Sequence, residues 1–251
     1  MATNQGLGHN LGADLLINPG DLTFTVDPTV ATTPLELGAR ATTGDGRYFR
    51  WAKAGASALV PGKLLSAPAE TTGWQDLDIA AAAIGDTTIT TTSTITATAN
   101  QLSGGYVVVT NGTGAGWTYK ISSNPAVTGA VCTITLEDSI QATTANTVDV
   151  DLIASPLSGV VLAAATQVAA VVGAACFNVP ASNLGWIQVA GPIGLLADAS
   201  APTVGAMVVQ SDDTDGAVGL FETDALAYPV IGTALTGMTS AEYGMVNLKI
   251  S

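Results

Sequence analysis

The sequence predicts an all-β protein, built of β-sandwich or barrel-like domains behind an extended N-terminal arm. Three observations predict it. Apolar and polar residues alternate in runs of about five to eight, the period of a half-buried strand. Gly, Pro, Asn and Asp cluster between those runs at turn spacing. No stretch carries a long amphipathic helical period with caps at its ends.

Residues 1–45 read as the arm. Pro19, Pro28, Pro34, Gly6, Gly8, Gly12, Gly20 and Gly38 interrupt each periodic stretch before it can grow. Its apolar pieces, Leu15-Leu16-Ile17 and Leu22-Thr23-Phe24-Thr25-Val26, are long enough to pair with a neighbour's sheet edge.

Two β domains are expected next, over 46–155 and 156–251. In the first, Arg47-Tyr48-Phe49-Arg50-Trp51-Ala52-Lys53 alternates charge with bulk, and apolar pieces at 58–60 and 64–65 flank Pro61-Gly62. Further strands are predicted at 77–83, 106–110, 116–122 and 130–136, with Asn111-Gly112 and Ser123-Asn124-Pro125 as turns. In the second domain, strands are predicted at 171–177, 185–190, 206–210, 217–221, 229–234 and 243–250. Short strands at this spacing suggest barrels or sandwiches.

The stretch 87–99 is the most biased. Thr occupies 88, 90, 92, 94, 96 and 98, so a strand there would turn a pure threonine row to one side. Ice-binding surfaces repeat such a row over stacked strands; here it occurs once, as a polar exposed strand would.

Composition points to assembly. Only 11% of residues are charged, against ~25% in an average domain, and mean hydropathy is +0.42. Such a surface is covered by Thr, Ser, Asn and Gly or hidden by neighbouring subunits, and homomeric interfaces are poor in charge. The net charge of −13 argues against nucleic acid as a partner. Five of the seven basic residues (Arg40, Arg47, Arg50, Lys53 and Lys63) lie close together, a pattern suited to docking on an acidic protein. Candidate interface residues are therefore Arg40, Arg47, Tyr48, Phe49, Arg50, Trp51 and Lys53, with Trp186 as a further aromatic anchor; Trp74 and Trp117 complete the large anchors of core or interface.

No charge falls within 152–197, but Pro156, Pro180, Thr166, Gln167 and Gly173 break its apolar run, so it reads as buried strands or an interface rather than a membrane span. The opening residues show neither the basic nor the apolar region of a secretory leader. Cys132 and Cys176, both in apolar runs, read as buried free thiols.

Catalysis finds little to work with. His9 is the only histidine and lies in the Gly-rich arm, so nucleophilic triads and His-rich zinc sites are not expected. Gly112-Thr113-Gly114-Ala115-Gly116 joins two predicted strands and reads as a hairpin loop rather than a phosphate cradle. Asp149 and Asp151 share a strand face, as do Asp76 and Asp78, which leaves a glycosidase-like carboxylate pair as a remote reading. Asp212-Asp213-Thr214-Asp215-Gly216 resembles part of a calcium loop, with Asp212, Asp213 and Asp215 as weak ligand candidates, but Thr223 stands where the distal Glu belongs. No catalytic residue, cofactor or firm metal site is expected.

The segment Gly46-Arg47-Tyr48-Phe49-Arg50-Trp51-Ala52-Lys53-Ala54-Gly55, with Ala58-Leu59-Val60-Pro61-Gly62-Lys63-Leu64 behind it, resembles virion proteins of tailed bacteriophages. So do Val172-Gly173-Ala174-Ala175, Leu184-Gly185-Trp186-Ile187-Gln188-Val189-Ala190-Gly191, Ile231-Gly232-Thr233-Ala234 and the closing Val246-Asn247-Leu248-Lys249-Ile250. Together they span about 46–250 in order. The resemblance implies a capsid decoration (cement) protein on the virion's capsid surface, often a homotrimer. Such a protein bridges major capsid subunits, with the arm as a natural capsid contact. The alternative expectation is a receptor- or glycan-binding fibre or adhesin domain, which would show exposed loop aromatics.

Overall fold

The structure, a computed structural model, describes residues 14–28, 35–146, 148–221 and 228–250. His9 and parts of the predicted arm, 1–13 and 29–34, lie outside them. The described strands are β1 (Leu15–Leu16), β2 (Arg40–Thr42), β3 (Tyr48–Ala54), β4 (Leu64–Ser66), β5 (Leu77–Asp78) and β6 (Thr88–Thr90). Then come β7 (Ile95–Ala97), β8 (Tyr106–Val109), β9 (Thr118–Ser123), β10 (Val127–Ala130), β11 (Thr133–Leu136) and β12 (Asp149–Ile153). The chain ends with β13 (Ser158–Leu162), β14 (Val171–Ala174), β15 (Leu184–Leu196), β16 (Met207–Gln210), β17 (Val218–Leu220), β18 (Val230–Ala234) and β19 (Tyr243–Lys249). The fold class is all-β, as predicted.

The chain divides into two units, but not at residue 155. The first holds the chain up to Ser66 together with 159–167 and 171 onward; the second holds 67–158 and 168–170. The predicted boundary fails because β3 and β4 find their partners, β13, β14 and β15, more than ninety residues further along the chain. A linear reading sees strands but not such long-range pairing. The second unit is thus an insertion between β4 and β13.

In the first unit, five strands close a barrel in the order β3-β13-β4-β14-β15, with β15 returning to pair with β3. Trp51 and Trp186 are register partners and meet edge to face at 5.0 Å, with Phe49, Ala41 and Leu184 in the same buried cluster. Strand β15 has two lives. Residues Leu184 to Ala190 pair with β3, and Ala190 to Leu196 pair with β19. The switch occurs at a register shift and at Gly191, whose φ of +93° and close approach to the Arg47 backbone disfavour a side chain. The buried Gln188 holds the bend, its Nε2 donating to the carbonyls of Ala190, Gly191 and Pro192 at 3.1–3.2 Å. Beyond it, β19, β18, β16 and β17 continue the sheet over a second core that includes Leu195, Val208, Val218, Val246 and Leu248.

The arm is not free where it is described. β1 pairs in parallel with β2, Leu22 is buried in the Trp51 cluster, and Val26 bridges Leu184. Phe24 stacks on Trp51 at 6.1 Å. The expected extended arm is, over 14–28 and 35–45, part of the first unit's own packing: its apolar residues found a core within the chain.

In the second unit the sheet runs β5-β12-β8-β9-β11-β6 and its ends meet. The Ala80 N–H donates to the Thr90 carbonyl and the Thr92 N–H to the Asp78 carbonyl, closing the curl. Ile79, Ile89, Leu102, Ile121 and Ile134 fill its interior, while β7 and β10 pair separately. The threonine stretch is two strands with a bend between them. Its parity survives the break: Ile89, Thr91, Ile95 and Ala97 are buried, and Thr88, Thr92, Thr94, Thr96 and Thr98 face solvent. Thr90 and Thr133, register partners, share a hydroxyl contact of 2.9 Å.

Candidate assembly surfaces

The basic aromatic segment becomes β3, and its alternation splits the predicted interface residues. Phe49, Trp51 and Trp186 are buried in one cluster with Leu22, Val26 and Ala41, covered by the described part of the arm, so they are core residues and not exposed anchors. A hydrophobic core takes the largest apolar side chains it can reach, and the two tryptophans fill it as a pair. Trp74 is also buried. Tyr48 and Arg40 are exposed, while Arg50 and Lys53 are half-buried.

Strand pairing places Arg40 directly opposite Arg50, with Tyr48 opposite Thr42 two residues along. Neither arginine has a salt bridge among the described residues. The Arg50 Nη1 donates to the Gly38 carbonyl at 3.3 Å. Partial burial, and then Arg40, pull the Arg50 guanidinium below its ordinary pKa, with Asp14 acting in the opposite direction. Arg47 is differently placed: its Nε meets Asp45 Oδ2 at 2.9 Å and its guanidinium lies 5.6 Å over the Phe49 ring. The Thr43 hydroxyl, and after it Arg47, hold the Asp45 carboxyl below its usual range.

The acidic cluster is the turn between β16 and β17. Ser211 Oγ accepts the N–H groups of Asp213 and Thr214, and the Asp215 carboxylate accepts the Ala165 N–H at 2.8 Å. Lys63 Nζ reaches the Asp215 carbonyl, and Gly216 supplies a φ of +68°. Asp215 is therefore spent on holding the turn. Asp212, Asp213 and Asp215 form no metal-holding group, and none of three or more His, Cys, Asp or Glu exists among the described residues. The calcium candidate is not supported, because Asp215 is engaged by the Ala165 N–H and the three residues form no ligand group. Asp212 and Asp213 stay exposed, with no salt bridge among the described residues.

Sequence reasoning missed the outer face of β15, β19, β18 and β16. Register puts Pro192, Asn247, Thr233 and Met207 in one row across the four strands. Beside it Gly194 opposes Met245, whose carbonyl accepts the Leu235 N–H, and Leu196 opposes Tyr243. Tyr243 is 59% exposed, Met207 52% and Leu235 48%. Lys249 is the only charged residue at the outward positions of β19. The signal was present in β19: Tyr243, Met245, Asn247 and Lys249 alternate with the buried Val246 and Leu248, yet the half expected to be polar begins with Tyr and Met.

This face runs into a cleft of about 530 Å3 lined by Arg47, Pro61, Cys176, Phe177, Gln188, Pro192, Tyr243 and Met245 among others. The Tyr243 ring packs over Gly62 so closely that a side chain there would collide with it. Cys176 is a free thiol that burial pushes up to about 12, so at neutral pH it is a packing group and not a nucleophile. Cys132 is free and buried, as expected, whereas Cys176, also free, is only partly buried.

In the second unit, the two Asp pairs meet: Asp149 lies opposite Asp78, and Asp151 Oδ1 accepts the Asp76 N–H at 2.9 Å. Asn111 donates through its side chain to Asp149 and accepts the Asp149 N–H. The Asp149 and Asp151 carboxylates are thus engaged in holding Asn111 and the backbone entering β5. The glycine run forms the β8–β9 hairpin as predicted, with the Gly116 N–H donating to Val109. Trp117, exposed at its end, stacks on Tyr119 at 6.2 Å. No family model, curated protein or solved structure matches the chain.

Proposed function

We propose that this chain is a non-enzymatic structural protein of a tailed-phage virion, a capsid decoration protein that stabilises the head by bridging major capsid subunits. The observation that carries the reading is the outer face of β15, β19, β18 and β16. Tyr243, Met245, Leu235, Met207 and Pro192 stand exposed on a continuous, hydrogen-bonded sheet whose outward positions are nearly free of charge. Exposed apolar patches on rigid elements mark association surfaces, and Tyr and Met are enriched in the centre of interfaces. Covering such a patch gains about 25 cal/mol per Å2 before ordering costs, and repetition over a shell multiplies the gain. The low charge of the whole chain and the motif resemblance over 46–250 point the same way.

The test is co-sedimentation of the purified chain with undecorated phage heads. The wild type should bind to saturation and raise the temperature at which heads disrupt. Met245→Asp combined with Leu235→Asp should weaken binding about tenfold or more while the circular-dichroism melt stays that of a folded chain. Heads that ignore the wild type would overturn the reading.

A further inference from the structure

We propose that the Arg40–Arg50 pair is a docking site for the acidic β16–β17 turn of a second copy of this chain, through Asp212 and Asp213. The inference deepens the assembly reading above and rests on it. Two guanidinium groups placed opposite each other across an antiparallel pair repel, and the pair carries no salt bridge among the described residues. The same chain holds two adjacent exposed carboxylates at Asp212 and Asp213, on a turn fixed by Ser211, Asp215 and Gly216, and they too lack a salt bridge among the described residues. Each cluster is destabilising alone and complementary to the other.

Their places in the fold say why the contact runs between copies. β1 and β2 stand at one end of the strand order of the first unit's sheet, with β3 beside them in the barrel, and β16 and β17 at the other end. Asp14 and Arg40 are the charges acting on Arg50, and Asp212 and Asp213 act instead on the buried Asp198. Joining one end of the sheet to the opposite end of a neighbour's makes a head-to-tail contact, which closes into a ring when the rotation per copy allows it. The basic end carries apolar company for its charges in Leu16, 73% exposed, beside β2. The end strands β1 and β17 are two and three residues long, too short to extend the sheet by strand addition, so side chains make the contact. Arg is suited to the task because its planar fork binds carboxylates bidentately.

The experiment is sedimentation equilibrium of the full chain over a range of concentration and salt. Arg40 and Asp213 are both exposed, so Arg40→Glu and Asp213→Arg should each leave the fold intact, which circular dichroism verifies. The wild type should self-associate, less so as salt rises. Each single variant should raise the dissociation constant about tenfold or more, and the Arg40→Glu/Asp213→Arg double variant should recover most of that loss. A wild type that stays monomeric at every concentration overturns the inference, and so does an oligomer indifferent to both substitutions. A double variant no better than the singles overturns the pairing of these two clusters. Head binding, measured separately, stands or falls on Met245 and Leu235, so the two readings fail independently.

Discussion

Asp198 is a carboxylate in a place with almost no water, the only buried one among the described residues. Its Oδ1 accepts the Ser200 N–H at 2.8 Å, and its carboxylate packs against the backbone of Gly219. Burial raises its pKa above the ordinary 3.8, the Ser211 and Ser200 hydrogen bonds act against that, and Asp213 and Asp212 add to it. An acid raised in the folded state favours folding while protonated, and that contribution fades as pH climbs through the folded value. Holding the ionised carboxylate in that place therefore costs stability. Asp198→Asn keeps the accepting oxygen and removes the charge. Its Tm should exceed that of the wild type above the raised folded value, with the gap closing as pH falls through that value and gone below 3.8; a gap that is constant with pH would show that the charge is not the cause. None of this was legible in the sequence, where Asp198 is one more acid after an apolar run. The acidic turn was legible as a cluster, and its role was not, because the group that engages Asp215, the Ala165 N–H, lies 50 residues away in the chain.

At the scale of elements, alternation made most strands visible. β3, β8, β9, β16, β18 and β19 fall where the period of two puts them, and the Gly112 hairpin follows from its glycines. What alternation could not tell was how far β15 runs. Gly191-Pro192 reads as a strand end, yet the strand continues, because Gly191 turns the backbone and Pro192 points its ring outward opposite Asn247. The bend makes one strand serve both the barrel and the outer sheet, which is how a buried Trp186 and an exposed apolar face come to share a strand. The substitution Gly191→Ala tests it. The positive φ and the 3.0 Å approach of a new Cβ to the Arg47 backbone and the Gly46 carbonyl should cost about 1–3 kcal/mol. Gly194→Ala, three residues on, meets nothing within 4 Å and should leave the denaturation midpoint near that of the wild type. Equal effects at both positions would deny the bend its role. Phe49, Trp51 and Trp186 were misread at this scale too: alternation gave the two faces of β3, but only the packing of the arm and β15 shows that the aromatic face is covered.

At the scale of the whole molecule, the chain visits its first unit, leaves it after Ser66 and returns at Gly159. Strand order explains how that is possible. Ser66 on β4 lies directly opposite Val161 on β13 in an antiparallel pair, so the chain departs and re-enters side by side. An insertion at such a point adds nothing that the barrel needs to close, since β3, β13, β4, β14 and β15 all lie outside it. Replacing residues 68–158 by Asn-Gly turns β4 and β13 into a short hairpin, with Gly159, already at φ +92°, completing the loop. The shortened chain retains Trp51 and Trp186 and loses Trp74 and Trp117. It should melt cooperatively and keep the near-ultraviolet signal of the edge-to-face pair at 5.0 Å. Because Tyr243, Met245, Leu235 and Met207 all belong to the first unit, it should also still bind phage heads. A folded product that no longer binds would move the assembly surface to the inserted unit, where Trp117 is the exposed aromatic to examine next. A product that fails to fold would show that the barrel depends on its insertion, against the closed strand order.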